Sequence, residues 1–276
     1  MLRNKTLPTH PRLIAIVGGS GAGKTRLADE LQKKLGHEAL RLSLDNFYRD
    51  RADLTPLRRA QINFDHPRAI DWTAVEKVLA RLARNRPTRI PRYDFSTHCR
   101  LHDGEWINPK PIILMDGLWL LLRRSLRKIF QLGIFLECPA QTRLQRRLDR
   151  DVKERGRTAT SVCRQFVRTV APMHNKFVAP QIRWAQMIFR HGPSAREITQ
   201  LAEMISPTDT PSPVRGIRRP APAFPSNLAR PTLPLTPAKS ARGLAQSKTL
   251  MRHSAVRKPK GDEATTLIKP KSIASL

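Results

Sequence analysis

The chain has 276 residues, enough for one large domain or two small ones, with 39% apolar and 5% aromatic residues. Its 51 Lys/Arg against 22 Asp/Glu give a net charge of +29, which suits anionic ligands. No apolar run reaches a membrane span, the longest ("PIILMDGLWLLL") being broken by Asp116, and the short apolar stretch of the basic N-terminus excludes a signal peptide. Cys99, Cys138 and Cys163 form neither a CxxC pair nor a disulfide framework, so a soluble cytoplasmic protein is expected.

Residues 1–11 read as an extension. "RLIAIVG" (12–18) is a buried strand, and "KTRLADELQKKLG" (24–36) an amphipathic helix closed by Gly36. Between them Gly18, Gly19, Ser20, Gly21, Ala22, Gly23, Lys24 and Thr25 fit G-x-x-x-x-G-K-[ST] in its required strand–loop–helix context. Backbone N–H groups of such a loop turn toward phosphate oxygens, Lys24 reaches the β- and γ-phosphates, and Thr25 ligates Mg²⁺. ATP and Mg²⁺ are therefore the expected cofactors.

"ALRLSL" (39–44) is a second strand, which brings Asp45 to its carboxyl end, where open α/β sheets bind ligands. A carboxylate there holds Mg²⁺, takes a proton from an attacking hydroxyl, or simply caps a turn. "NFDHP" (63–67) joins Phe64 to Asp65, a carboxylate able to accept hydrogen bonds from two adjacent hydroxyls. A helix over 71–84 with Asp71 as N-cap follows, then paired strands "TRIPRYDF" and "GEWINP". Around that turn Tyr93 and His98 offer a polar edge, while Phe64 and Phe95 offer apolar walls.

"PIILMDG" (111–117) is a buried strand closing on Asp116, the Walker B arrangement in which a carboxylate positions the metal and its waters. "QLGIFLEC" is another strand, long helices cover 139–154 and 159–178, and "AQMIFRH" and "SAREITQLAEMI" end the pattern as strand and helix. Arg143, Arg147 and Arg150 share a helical face, with Arg155 and Arg157 bracketing Gly156. Arg147–Asp151 and Arg150–Glu154 are i,i+4 ion pairs, yet the arginines outnumber the local acids. A lid closing them over transferring phosphates accounts for the surplus. The alternation as a whole implies an α/β fold with a mostly parallel sheet flanked by helices.

From 12 to 192, the order "GGSGAGKT", "SLDNFYRD", "NFDHP", "YDFSTH", "MDG", "TRLQRRLDRDVKERGR" and "QFVRTVAPMHNKFVAP" resembles the uridine kinase branch of the uridine kinase/phosphoribulokinase family. That resemblance implies a P-loop kinase fold with a β-hairpin substrate region and a helical lid, transferring the ATP γ-phosphate to the 5′-hydroxyl of uridine or cytidine. It makes Asp45 the base, sets Asp65, Arg147 and Gln165 on the ribose, gives Tyr93 and His98 the pyrimidine, and suggests a homo-oligomer. Two positions depart from the branch, Asp116 where Glu is usual and Gln186 where Asp is common.

Residues 207–276 hold 11 of the 23 prolines, 13 Lys/Arg and 3 Asp/Glu, and read as a disordered basic tail suited to a polyanion or to none. Two alternatives stay open. One keeps phosphoryl transfer with a sugar phosphate or another small alcohol as acceptor, Arg89, Arg92 and Arg100 supplying charge. The other is a basic P-loop protein that binds nucleic acid, although no RRM, KH or helix-turn-helix signature is present.

Overall fold

The computed structural model describes residues 10–207 except Arg155, with Ala60 described by its backbone alone. The N-terminal extension up to residue 9, the basic tail from 208 onward and the lid role of Arg155 lie outside the described residues.

Five parallel strands form the sheet: β1 (Arg12–Gly18), β2 (Ala39–Ser43), β5 (Ile112–Gly117), β6 (Leu132–Leu136) and β7 (Met187–Phe189), in the order β2-β5-β1-β6-β7. The apolar runs of β1, β5 and β6 are buried on both faces, as the covered middle of a parallel sheet demands. Along β1 the side chains alternate between two cores. Leu13, Ala15 and Val17 join Leu42, Ile113, Met115 and Trp119 on one face; Ile14 and Ile16 join Leu114, Ile134 and the facing helices on the other.

Helix α1 (Lys24–Leu35) buries Leu27, Ala28, Leu31 and Leu35 on the second face, beside Ile198, Leu201 and Ile205 of α8 (Ala195–Ile205). Helix α8 starts with a capping box in which Ser194 and Glu197 satisfy each other's backbone N–H groups. Helix α3 (Trp72–Ala83) covers the first face through Val75, Val78, Leu79 and Leu82. As expected, Asp71 caps it, accepting from Ala74 N at 3.1 Å.

The antiparallel hairpin pairs β3 (Thr88–Asp94) with β4 (Cys99–Ile107), longer than "GEWINP" alone. Its register shifts between Ile90 and Arg92, at Pro91, whose missing N–H cannot join the ladder. Two short helices carry no clear sequence period: α2 (Pro56–Ala60), capped by Thr55, and α4 (Arg124–Arg127).

Helix α5 (Ala140–Lys153) matches expectation, but a single helix over 159–178 does not. Regular α-helix stops at Gln165 in α6 (Ala159–Gln165). The chain then widens into π turns at Phe166–Val170 and His174–Val178 around α7 (Ala171–Met173), and tightens to a 3₁₀ segment to Trp184. Pro172 and Pro180 each remove a donor from the i→i−4 ladder, and the helix adjusts its pitch around them.

Leu79 has no exposed surface. Leu79→Ala should lower unfolding free energy by about 2–5 kcal/mol, read from urea denaturation.

Candidate active site

The carboxyl ends of β1, β2, β5 and β6 point to one side of the sheet, and there the loops enclose a cavity of about 1670 Å³. Ser20 to Thr25, Asp45 and Asp116 line it. So do Phe64, Asp65, Tyr93, Phe95 and His98, and opposite them Arg147, Arg150, Arg157 and Gln165. Gly18 and Gly19 sit outside its lining, Gly18 ending β1 and Gly19 packing against Arg143 and His174.

The phosphate loop keeps glycine where geometry requires it. Gly23, at φ 97°, is the N-cap of α1, and Gly21, at φ 81°, passes so close to α5 that a Cβ would fall 2.6 Å from Arg143 O. Lys24 Nζ donates to Gly19 O at 3.0 Å. Burial lowers the Lys24 pKa, with Asp116 and Asp45 opposing. Thr25 Oγ1 donates to Asp116 Oδ2 at 3.2 Å, so the shorter carboxylate still reaches the loop. Asp116 is buried, and Arg41 on β2 pairs with its Oδ1 at 3.2 Å. Asp45 is exposed on the 3₁₀ turn Leu44–Phe47, directly after β2.

Across the cavity Asp65 accepts from Thr169 Oγ1 at 3.1 Å and Gln165 Nε2 at 3.4 Å. Burial raises its pKa, opposed by Arg147 and these hydrogen bonds. Arg147, itself buried, donates to Ser20 Oγ at 2.7 Å and to Gln165 Oε1 at 3.2 Å, joining the phosphate loop to the Asp65 side. Arg157 donates to the same Gln165 oxygen at 2.6 Å. The expected Arg147–Asp151 pair is present at 3.5 Å, but Arg150 turns to Asp151 at 2.7 Å, away from the Glu154 pairing that spacing suggested. Asp151 is fully buried and so offers an unscreened carboxylate, which outcompetes an exposed one.

The hairpin brings its aromatic residues to the same space. His98 adopts φ 57° and stacks on Phe64, ring centroids 4.2 Å apart and planes 13° from parallel. Tyr93 packs against Phe95 at 5.2 Å and against Tyr48 at 5.2 Å. Tyr93 Oη and His98 Nδ1 are buried and have no hydrogen-bond partner among the described residues. Burial pushes the Tyr93 phenol up to about 12 and lowers His98, so both are neutral near pH 7.

Sequence reasoning missed Tyr48, Thr169, Arg41 and the cavity-lining Arg164 and Arg168. Two signals were available: Tyr48 stands three residues past Asp45, and Thr169 lies four past Gln165, the same-face spacing of a helix. Arg89, Arg92 and Arg100, by contrast, do not line the cavity; Arg100 ties the hairpin to Tyr48 O and Asp71. Gln186 also lies elsewhere, accepting from Gly133 N at 2.6 Å at the start of β6, so that departure serves the sheet edge. Among the described residues no helix is long and apolar enough to cross a membrane.

A glycine-rich loop between a parallel strand and a helix, with a lysine, a hydroxyl and a strand-end aspartate around one cleft, defines a P-loop nucleotide-binding fold. Residues 13–197 match the family model described as Phosphoribulokinase / Uridine kinase family. Uridine kinases from Lactobacillus helveticus (36% identical, 66% of this chain and 87% of the relative) and Chloroflexus aurantiacus (37%, covering 67% and 90%) are similar over the same region. Phosphoribulokinase from Rhodobacter spheroides shares the fold at TM-score 0.50 and 18% identity, over 66% of this chain and 70% of that one. A putative fructose transport system kinase from Silicibacter sp. TM1040 does so at TM-score 0.53 and 20% identity, over 67% and 89%. The chain belongs to the phosphoribulokinase/uridine kinase family and is a phosphotransferase, with a kinase's ATP as donor and a small alcohol as acceptor.

His174 packs beneath the phosphate loop with Nδ1 buried and unpartnered, and burial beside Arg143 and Lys24 lowers its pKa to about 4. The unfolded chain takes up that proton near 6.5, so stability is fully present above 6.5 and is lost as pH falls toward 4. Urea midpoints measured across this window should fall less steeply in His174→Asn than in wild type; parallel slopes would refute the assignment.

Proposed function

We propose that the protein transfers the γ-phosphoryl group of ATP to the 5′-hydroxyl of a pyrimidine ribonucleoside, uridine or cytidine. The observation that carries this reading is the pair of unsatisfied polar atoms, Tyr93 Oη and His98 Nδ1, buried in the same cavity as the phosphate loop. Buried polar groups are normally hydrogen-bonded, so two orphans on one wall ask for a ligand with a polar edge. A pyrimidine set against Phe64, Phe95 and Tyr48 would supply that edge. The neutral states of Tyr93 and His98 suit hydrogen bonding to an uncharged base. The names of the curated relatives support the same class of acceptor.

In this reading Asp65 accepts hydrogen bonds from the ribose hydroxyls, with Thr169, Gln165 and Arg147 fixing its orientation. Asp45, exposed to the cavity between the phosphate loop and the aromatic wall, takes the proton from the attacking hydroxyl. Lys24, Arg150 and Arg157 stabilise charge spread over the transferring phosphoryl group, a role extended to Arg155 by its place in the arginine run.

Thr25, Asp116 and Asp45 would hold Mg²⁺. Among the described residues no three His, Cys, Asp or Glu side chains form a metal cage, which fits an ion held by one or two carboxylates with phosphate oxygens and water. When bound, the ion would screen the phosphate charge; aligning the acceptor and moving its proton fall to Asp65 and Asp45.

Soluble cytoplasmic salvage of pyrimidines, association into a homo-oligomer and capture of a polyanion by the tail remain parts of the same proposal. A phosphorylated acceptor is the second reading. Arg164 and Arg168 line the cavity one helical turn apart with no acidic partner among the described residues, more positive charge than a neutral nucleoside needs.

Purified protein with labelled ATP, Mg²⁺ and a panel of nucleosides and sugar phosphates should yield uridine or cytidine monophosphate; transfer confined to sugar phosphates would select the second reading. Asp45→Asn should lower turnover by about 100-fold or more while nucleotide binding stays nearly unchanged.

A further inference from the structure

Asp116 is the carboxylate that closes β5, and its side chain is only 5% exposed. Each of its oxygens has its own neighbour. Oδ2 accepts from Thr25 Oγ1 at 3.2 Å, on the side of the phosphate loop. Oδ1 accepts from two nitrogens of Arg41, Nε at 3.3 Å and Nη2 at 3.2 Å. Arg41 extends a third nitrogen the other way, Nη1 lying 2.9 Å from Asp29 Oδ1 on α1.

The backbone explains how an arginine reaches this point. In the β2–β5 register Arg41 stands beside Leu114 and Ser43 beside Asp116. The Arg41 side chain therefore starts two residues short of the carboxylate and runs along the sheet toward it. Its path is fixed at both ends, by Asp29 on the helix and Asp116 on the strand. The guanidinium thereby brings its positive charge to the carboxylate from a fixed direction.

Two consequences follow, with opposite signs for a divalent ion. A carboxylate this buried needs a partner, and Arg41 supplies one that orients Asp116 with Oδ2 toward Thr25. The same positive charge repels a cation arriving at that oxygen and takes up part of the negative charge that would attract it. Asp29 moderates the repulsion by engaging the far side of the guanidinium.

We propose that Arg41 is a positioning residue acting through Asp116: it aims the carboxylate at the Thr25 end of the cavity and weakens that carboxylate's hold on a divalent cation, with Asp29 setting how strongly. The ion is thereby held mainly by the nucleotide's own phosphates, so that metal and nucleotide enter and leave together. The proposal rests on the reading that a metal–nucleotide complex binds between Thr25 and Asp116, and it is independent of the acceptor's identity.

The test measures Mn²⁺ affinity of the full-length chain in the presence of ADP, without acceptor, from free Mn²⁺ by electron paramagnetic resonance. Arg41→Met keeps the apolar stem and removes the charge, and should tighten Mn²⁺ binding by on the order of tenfold. Arg41→Lys, which keeps the charge, should stay close to wild type. Asp29→Asn, at a half-exposed position where folding is not at risk, should weaken binding by a few-fold. Asp29→Asn alone decides the matter if Arg41→Met does not fold. Unchanged or weaker binding in folded Arg41→Met, or no shift in Asp29→Asn, overturns the proposal while leaving the metal reading intact. No Mn²⁺ binding by the wild-type chain with ADP would remove the metal reading, and this proposal with it.

Discussion

The fully buried carboxylate of Asp151 governs the geometry of the cleft. Arg147, Arg150 and Arg157 all lie within 3.5 Å of its oxygens, and Arg157 N also donates to its backbone carbonyl. Among the described residues, this one solvent-free carboxylate thus gathers three guanidinium groups from α5 and the segment after it. An interior carboxylate left alone would be costly, and so would three arginines pressed together without it; each makes the other tolerable. From this hub the chain of hydrogen bonds runs through Arg147 to Ser20 and through Gln165 to Asp65. The glycine-rich turn and the far wall of the cavity are therefore held at a fixed spacing by polar contacts, and the sheet below sets the orientation.

The sheet contributes in a simpler way. Because all five strands are parallel, every carboxyl end faces the same side, and the residues that follow β1, β2 and β5 must share one space. The hairpin of β3 and β4 sits over that space because Arg100 binds Tyr48 O and Asp71, fastening it to the turn after β2 and to the cap of α3. Tyr48, Tyr93 and Phe95 are thus mounted on two anchored elements, and Phe64, from the turn before Pro67, packs against Tyr48 and His98 to extend the wall.

The elements that could be read from sequence are those in which a local pattern and a tertiary need coincide. Apolar runs gave β1, β5 and β6 because a strand buried on both faces has no polar positions to confuse it. The phosphate loop was legible since a glycine spacing reports backbone geometry directly. Pitch changes after Gln165 were not, as Pro172 and Pro180 announce a disturbance without saying whether the helix breaks, tightens or widens. Arg41 was invisible for another reason: its partners Asp29 and Asp116 come from a helix and a distant strand, and no spacing within one element foretells a contact between three. The Arg150–Glu154 pairing failed because helical spacing offers two acids and only burial chooses between them.

Lys24 Nζ donates to Gly19 O, an acceptor supplied by the very turn it belongs to. In the proposed function a phosphate oxygen of ATP would take the place of that carbonyl, an exchange of one oxygen for another. The new contact would then count only by its difference from the old one.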